Sequence, residues 1–530
     1  MKRWNGWGDL SVNVGVPEKG LEILKGLVGE GFRRKDFPFE KILEKVPAPK
    51  MPPHILVSAE SGTRLRHSHG QSLPDWIDLR CGTQERFPDG VAFPSTTGEL
   101  EEIMEFAEKH GAEVVPYGGG TSVTGHLKIP DTGRPVLSLS LRRLNRLLGI
   151  DEKSLLATFE AGVLGPEVEA NLRGKGFTLG HFPQSFEYSS LGGWILTRSS
   201  GQQSFHYGKI ENLFAGGELH TPKGVMNLPP FPASAAGPDL RQLVLGSEGR
   251  LGVLAKAVVR ISPIPEKDDV YGCFFPSWES GVEAVRKLAV SGLPLSMLRL
   301  SNPAETFTSL ALAGNEKKTG MLVSYLNLRG AREKEACMSL IGFIGNGRLV
   351  AAGRKEANAL LKRFRAVHVG KVMGEEWKKN RFRLPYLRNS LWEAGYAVDT
   401  FETALTWEKI LPSVKMIEER MKSALAEYNE TVHVFTHLSH LYTTGSSIYT
   451  TYVFRMPDAA EEILRRWQIL KKAASSAVVE AGGTISHHHG VGSDHKEYMY
   501  AEKGPVGMSI LRNTFEHVDP DRRMNPGKLI

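Results

Sequence analysis

Ser486-His487-His488-His489-Gly490 places three imidazoles in succession. Side chains with an ordinary pKa of about 6.5 can hold and pass protons at neutral pH. In an extended backbone, alternate side chains face opposite sides, so at most two of the three would share a pocket. A structural metal cluster, an exposed polar turn and a proton-relay site all fit the triplet by itself. Tyr449 offers a phenol for similar chemistry, but Ile448, Tyr449, Tyr452, Val453 and Phe454 equally form a β-run in which it would be a core aromatic.

A second kind of chemistry is suggested by glycine. Pro116-Tyr117-Gly118-Gly119-Gly120-Thr121-Ser122 follows an apolar strand, and three successive glycines let backbone N–H groups approach a diphosphate while Thr121 and Ser122 add hydroxyls. Alone, this stretch reads as a tight turn. It also lacks the one, three and six glycine spacing of a Rossmann NAD site. Two further clusters follow: Gln184 to Ser190 with Gly192 and Gly193 and then Thr197-Arg198-Ser199, and Gly246-Ser247-Glu248-Gly249-Arg250-Leu251-Gly252.

The elements that must hold these loops alternate between strand and helix from Phe93 onward, the mark of α/β architecture. Thr96 and Glu99 form a capping-box pattern, and Leu100, Ile103, Met104 and Ala107 place one apolar stripe on the helix that follows. Strands are expected over 112–115, ending at Pro116, over 136–141 with Leu137, Leu139 and Leu141 on one face, and over 155–163 before a helix beginning near Pro166. A further strand over 253–261 is closed by Pro263 and Pro265. Beyond it, 281–290 and 332–343 read as helices between short strands. Residues 1–85 hold helical pieces broken by Pro38, Pro47, Pro49, Pro52 and Pro53.

A chain of 530 residues exceeds one compact core, so at least two domains are expected. The formal charge is +7, yet its basic stretches, such as Lys362 to Arg365, are interrupted by apolar residues. That argues against a nucleic-acid partner and leaves an anionic substrate or a membrane surface open. Cys81, Cys273 and Cys337 show no paired or metal-type spacing, which fits a reducing, cytoplasmic compartment. No stretch reaches the roughly 18–20 apolar residues of a spanning helix, so any membrane contact is expected to be peripheral.

Taken in order, the three glycine clusters resemble the FAD-binding domain of the vanillyl-alcohol-oxidase and p-cresol-methylhydroxylase superfamily. The resemblance implies FAD contacts from Pro116, Tyr117, Gly118, Gly119, Gly120, Thr121 and Ser122, and from Gln184, Ser185, Phe186, Glu187, Tyr188, Ser189 and Ser190. It extends these to Thr197, Arg198 and Ser199, and to Glu248, Gly249, Arg250, Leu251, Gly252, Val253 and Leu254. Pro385 to Arg388, Thr400-Phe401-Glu402-Thr403, Ser486 to Gly490 and Asp519 to Leu529 resemble the C-terminal domain of FAD-linked oxidases.

Two branches of these enzymes compete. In metal-using D-2-hydroxy-acid dehydrogenases, histidines and a carboxylate hold a divalent ion; here, in the stretch from His440, Tyr449 stands where the second histidine should be and His488 where the carboxylate should be. No metal is therefore expected. Both changes, and Trp4-Asn5-Gly6-Trp7-Gly8, resemble the alkylglycerone-phosphate synthases, although Asn525 to Ile530 is closer to the dehydrogenases. The synthase resemblance implies a redox-neutral exchange of the acyl chain of acyl-dihydroxyacetone phosphate for a fatty alcohol. It gives Tyr449 with His487, His488 and His489 proton transfer, Arg299 a part in activity and Arg388 a substrate contact. Without it, either arginine would read as a surface ion pair.

The fold class expected is α+β: a two-subdomain α/β FAD-binding domain of the p-cresol-methylhydroxylase type, an α+β cap and a helical N-terminal extension. Its limits are 1–85 for the extension, 86–265 for the FAD domain, 266–485 for the cap and 486–530 for a segment returning to the flavin site. The expected partners are a small-molecule or lipid substrate with an anionic head group and a second copy of the chain as homodimer, and no nucleic acid. An FAD-linked D-2-hydroxy-acid dehydrogenase or oxidase is the alternative.

Overall fold

The computed structural model describes residues 1–314 and 316–530. Four strands form the first sheet, in the order Val57–Ser58, Gly90–Ala92, Val136–Ser140, Glu113–Tyr117, with the last three parallel. The second sheet is antiparallel and orders Leu147–Asp151, Leu156–Glu160, Val253–Arg260, Phe214–Thr221 and Gly224–Leu228. Together with the helices between them these make the α/β half.

A seven-stranded antiparallel sheet dominates the rest. Its order is Val367–Gly370, Lys267–Phe275, Cys337–Gly345, Leu295–Ser301, His433–Leu441, Gly445–Arg455, Tyr396–Thr406. The helix expected over 332–343 is instead the strand Cys337–Gly345. Strands on both sides and buried residues on both faces give it a continuous apolar run through Leu340, Ile341, Phe343 and Ile344, which hides the period of two.

Smaller differences have equally local causes. The strand expected to stop at Pro116 runs through it to Tyr117, because it lies at the edge of its sheet, where a missing N–H is tolerated. Leu141 begins a short 3₁₀ turn after Val136–Ser140, a strand buried throughout. The strand expected to 163 ends at Glu160, and the following helix, Gly165–Arg173, has Pro166 in its first turn. Thr96 caps Thr97–Lys109 by accepting the Glu99 N–H, but the Glu99 carboxylate turns to the Ser95 N–H and hydroxyl.

Two distant segments lock the halves together. Near the start, the Trp7 N–H donates to Asn389 Oδ1 and the Asn389 amide returns a bond to the Trp7 carbonyl. At the other extreme, the Val114 N–H donates to the Arg523 carbonyl and the Asn525 N–H to the Val114 carbonyl, so 523–525 lies along the edge of the parallel sheet. No described helix is long and apolar enough to cross a membrane.

Candidate active site

A cavity of about 540 Å³ is lined by the glycine loops on one side and by the large sheet on the other. All seven residues from Pro116 to Ser122 border it, as do Gln184, Ser185, Ser189, Ser190, Thr197, Ser199, Glu248 and Gly249. The loops are closed on one another through glycine: a Cβ on Gly119 would strike the Tyr188 carbonyl, and one on Gly118 the Ser190 hydroxyl. Gly120 has φ +71°, which glycine adopts without strain. Small hydroxyl side chains and glycine backbone facing one cavity fit a dinucleotide diphosphate.

The other residues expected to touch FAD lie elsewhere. Phe186 stacks on Phe382 at 4.9 Å, Tyr188 shares a hydrogen bond with the Tyr386 hydroxyl, and Glu187 accepts a longer one from it. Arg198 pairs with Glu211, and Arg250 donates to the Met524 carbonyl. Leu251, Val253 and Leu254 are core side chains, while Gly252 (φ +154°) packs beneath the His220 carbonyl. Val253 and Leu254 open a strand whose first three residues are all buried, so their side chains pack into the core on either face.

The histidine triplet does not run extended. Gly490 and Gly492 have φ +82° and +57°, and the Glu248 carboxylate accepts the Val491 and Gly492 N–H groups at 2.5 and 2.8 Å, bending the segment. As a result all three imidazoles gather on one buried carboxylate, Glu402. Glu402 Oε1 accepts the backbone N–H groups of His488 and His489, each at 2.7 Å, and the Nδ1 atoms of His487 and His489 stand 3.8 and 3.6 Å from the carboxylate. His488 Nδ1 is closer still. His488 and His489 line the cavity, whereas His487 lies behind them and meets the Tyr442 hydroxyl through Nε2. Two of the three share the cavity, within the limit of two expected, but not because the backbone is extended: all three turn to one carboxylate.

Burial pushes all three histidines below their ordinary pKa against the opposing pull of Glu402, His488 to about 3. Burial would raise Glu402, but His488 and His489 outweigh it and hold the carboxyl well below its usual range. At neutral pH the cluster is therefore an anionic carboxylate among imidazoles that burial keeps neutral.

Register does the rest. Glu402 is paired with Tyr449 across one ladder and His437 with Tyr449 across the next, which sets three side chains in a row on one face. The Tyr449 ring stacks on His437 at 4.9 Å and on His488 at 6.1 Å, and its hydroxyl donates to Thr400 Oγ1 at 3.1 Å. Burial raises the phenol's pKa, so it stays protonated. A bulge between Ser439 and Leu441 swings His440 onto the cavity too, where its Nδ1 meets the Ser200 and Ser204 hydroxyls.

Neither arginine is a surface ion pair. Arg299 Nη2 donates to Glu305 Oε1 at 2.5 Å and stands 3.2 Å from His437 Nδ1, which itself lies 2.9 Å from Glu305 Oε2. Arg388 sits on Leu384–Glu393 over the Trp76 ring at 4.2 Å and donates one bond, to the Gln71 carbonyl. Its buried Nε and Nη2 have no hydrogen-bond partner, and burial lowers its pKa to about 10. A guanidinium edge left unpaired beside a cavity fits a phosphate.

Glu402, Glu305 and His437 are the members that the sequence did not single out. The one signal for His437 is the alternation His433, Phe435, His437, Ser439, all of which border the cavity. Glu402, His487 and His488 also offer ligand atoms within 4.8 Å of one another, the arrangement through which this site could hold a metal ion. Away from the polar face, the cavity continues between Gly20, Ile23 and Leu24 of the helix Glu18–Val28 and Ala311 and Leu312 of Pro303–Leu312, an apolar arm.

The sequence matches the family description "FAD binding domain" over residues 88–227 and "FAD linked oxidases, C-terminal domain" over 264–529. It is 30% identical to the alkyldihydroxyacetonephosphate synthase of Dictyostelium discoideum over all of this chain and 93% of that protein. It is 33% identical to that of Caenorhabditis elegans over 88% of this chain and 80% of the other. A solved alkyldihydroxyacetonephosphate synthase superposes with a TM-score of 0.84 at 27% identity, covering 99% of this chain and 98% of its own.

Proposed function

This chain belongs to the alkyldihydroxyacetonephosphate synthase family of FAD-linked enzymes, and on that premise we propose that it exchanges the acyl chain of acyl-dihydroxyacetone phosphate for a fatty alcohol. The observation that carries this reading is the shape of one cavity: an unpaired guanidinium edge at Arg388 and an apolar arm beside Leu312 suit a substrate with an anionic head and a long chain. A small hydroxy acid would leave the arm empty.

The Gly118–Gly120 loop and the hydroxyls of Ser189, Ser190, Thr197 and Ser199 would hold FAD, whose electron-poor ring system would supply activation of the keto substrate. Arg388 fixes the phosphate. His488 and His489, neutral in the resting site and backed by the Glu402 carboxylate, pass a proton in transit, and Tyr449 donates one from a phenol that burial keeps protonated. Walls contributed by Gly20, Leu24 and Leu312 exclude water from the chain. The proposed peripheral lipid contact is supported by the helix Glu316–Leu328, which exposes Met321 by 74% and Leu328 by 85% and whose Glu316 pairs with Lys19, next to Gly20 of the arm.

The test is anaerobic incubation with acyl-dihydroxyacetone phosphate and labelled hexadecanol. Labelled ether product with the flavin still yellow at the end is expected. Bleaching by D-lactate or glycolate without ether product would move the chain to the dehydrogenase reading.

A further inference from the structure

We propose that His437, held by Glu305, is the base that takes the proton of the incoming alcohol, a proton site distinct from the histidine triplet. This rests on the exchange reading above.

Glu305 is 4% exposed and lies in the first turn of Pro303–Leu312, the helix that also walls the apolar arm. Its two oxygens are divided between two donors, Oε1 taking Arg299 and Oε2 taking His437 Nδ1. Nδ1 has two neighbours, Glu305 Oε2 at 2.9 Å and Arg299 Nη2 at 3.2 Å; the carboxylate is the nearer and can only accept, and Arg299 already donates to it, so we assign the imidazole proton to Nδ1 and the lone pair to Nε2. That atom has no hydrogen-bond partner among the described residues, on a side chain that borders the cavity. A carboxylate that orients an imidazole for proton abstraction is a recurring catalytic arrangement. Burial, first, and the Arg299 charge lower the His437 pKa against the pull of Glu305, leaving it neutral and able to accept.

Position separates this pair from the triplet. Tyr449 stands between Glu402 and His437 in the row across the sheet, so the triplet lies on one flank of the phenol and His437 on the other. On the His437 flank, His433 and Phe435 of the same strand and Thr308 and Leu312 of the helix continue into the arm. An alcohol whose chain lies in that arm brings its hydroxyl to this flank.

The step is redox-neutral. The alcohol O–H breaks and its proton passes to Nε2, while the oxygen's electron pair forms the new C–O bond to the glycerone carbon. The bond from that carbon to the acyl oxygen breaks with its pair leaving on the fatty carboxylate, and His437 returns the proton to solvent. Arg299 and Glu305 are positioning residues.

Two reactions of the FAD-loaded full chain separate this role from a structural one: exchange of labelled palmitate into acyl-dihydroxyacetone phosphate, which needs no alcohol, and ether formation from hexadecanol. His437→Asn is expected to keep its flavin and to lower ether formation ~10²–10⁴-fold more than it lowers palmitate exchange, which also feels the lost stacking on Tyr449. Glu305→Gln should show a smaller loss confined to the same reaction. His437→Gln is the second variant should the first lose flavin. Equal loss in both reactions, or in neither, would overturn the assignment; a wild-type chain that performs neither reaction would instead overturn the exchange reading itself.

Discussion

Glu402 and Tyr449 face each other directly across two neighbouring strands, so the carboxylate that gathers the histidines and the phenol beside them share one rigid ladder. Side chains on a paired sheet hold position better than those on loops, and here the loop carrying the triplet is itself bound to that ladder through two N–H bonds. Proton donor and proton acceptors are therefore positioned by the same backbone.

Tyr449→Phe should abolish most ether formation while retaining flavin and fold. The lost hydroxyl makes one hydrogen bond, to Thr400, worth about 0.5–1.5 kcal/mol, whereas general acid help is worth ~10²–10⁴ in rate. Turnover and melting temperature measured together decide it. Wild-type turnover would leave the tyrosine as a packing residue.

Chelation should leave turnover unchanged although Glu402, His487 and His488 stand close enough to share an ion. Their donor atoms are already engaged with one another: His487 Nδ1 lies 2.9 Å from His488 Nδ1, which itself meets the Glu402 carboxylate. Elemental analysis before and after chelator treatment is the check; a stoichiometric ion whose removal stops activity would contradict this prediction.

Gly119→Ala should lower both flavin content and melting temperature. The added methyl meets the Tyr188 carbonyl and stands 2.9 Å from Ser189 Cα, forcing two cofactor loops apart at a typical overpacking cost of ~1–3 kcal/mol. Full flavin occupancy in this variant would show that the loops tolerate separation.

Acid should destabilise the chain earlier than carboxylate titration alone would. Burial holds His67 and His433 at about 4 and His69, His181 and His488 at about 3, so the unfolded chain binds protons near pH 6.5 that the native chain refuses. Their contribution is complete above about pH 6.5 and declines as pH falls, by up to ~1.4 kcal/mol per unit for each group. Asp75, raised to about 6 by burial, acts in the opposite sense, as do Asp78, Glu113, Glu187 and Asp494, which burial also raises. Urea midpoints at pH 7.5 and 5.5 should differ clearly; coincident midpoints would refute the assigned burial.

Gly20→Phe should discriminate between alcohols. A Cβ at Gly20 already stands 3.4 Å from Leu312 Cδ2, so an aromatic ring would occupy the arm. The expected result is a KM rise of tenfold or more for hexadecanol with little change for a short alcohol, roughly the ~1–3 kcal/mol a few lost methylene contacts supply. An equal effect on both would place the chain elsewhere.

The glycine loops were legible as loops because small residues at close spacing carry their meaning locally, and the structure brings Gly118 to Gly120 and Ser189 to Ser190 to the border of one cavity. Tyr449, Arg299 and Arg388 were reached through resemblance, and the structure adds a physical setting for each. Glu402, His437 and Glu305 were not legible as a group, because strand alternation gives a face while only register gives a neighbour. The pairing of 402 with 449 and of 437 with 449 is set by which strands lie together in the seven-stranded sheet, information spread over the whole C-terminal half. The same burial that completes that sheet disguised Cys337–Gly345 as a helix.

Finally, the strip formed by Arg523 to Leu529 fixes an order of events during biosynthesis. Asn525 donates to the Glu248 carbonyl and the Leu529 N–H to the Gly492 carbonyl, so the third cofactor loop and the bend after the histidines both wait for residues translated last among those that build the site. On the ribosome, the α/β half can form its sheets long before this strip emerges. Stable flavin uptake is therefore expected only once this strip has emerged, and nascent chains arrested before residue 523 should fold their first half and yet let the cofactor go.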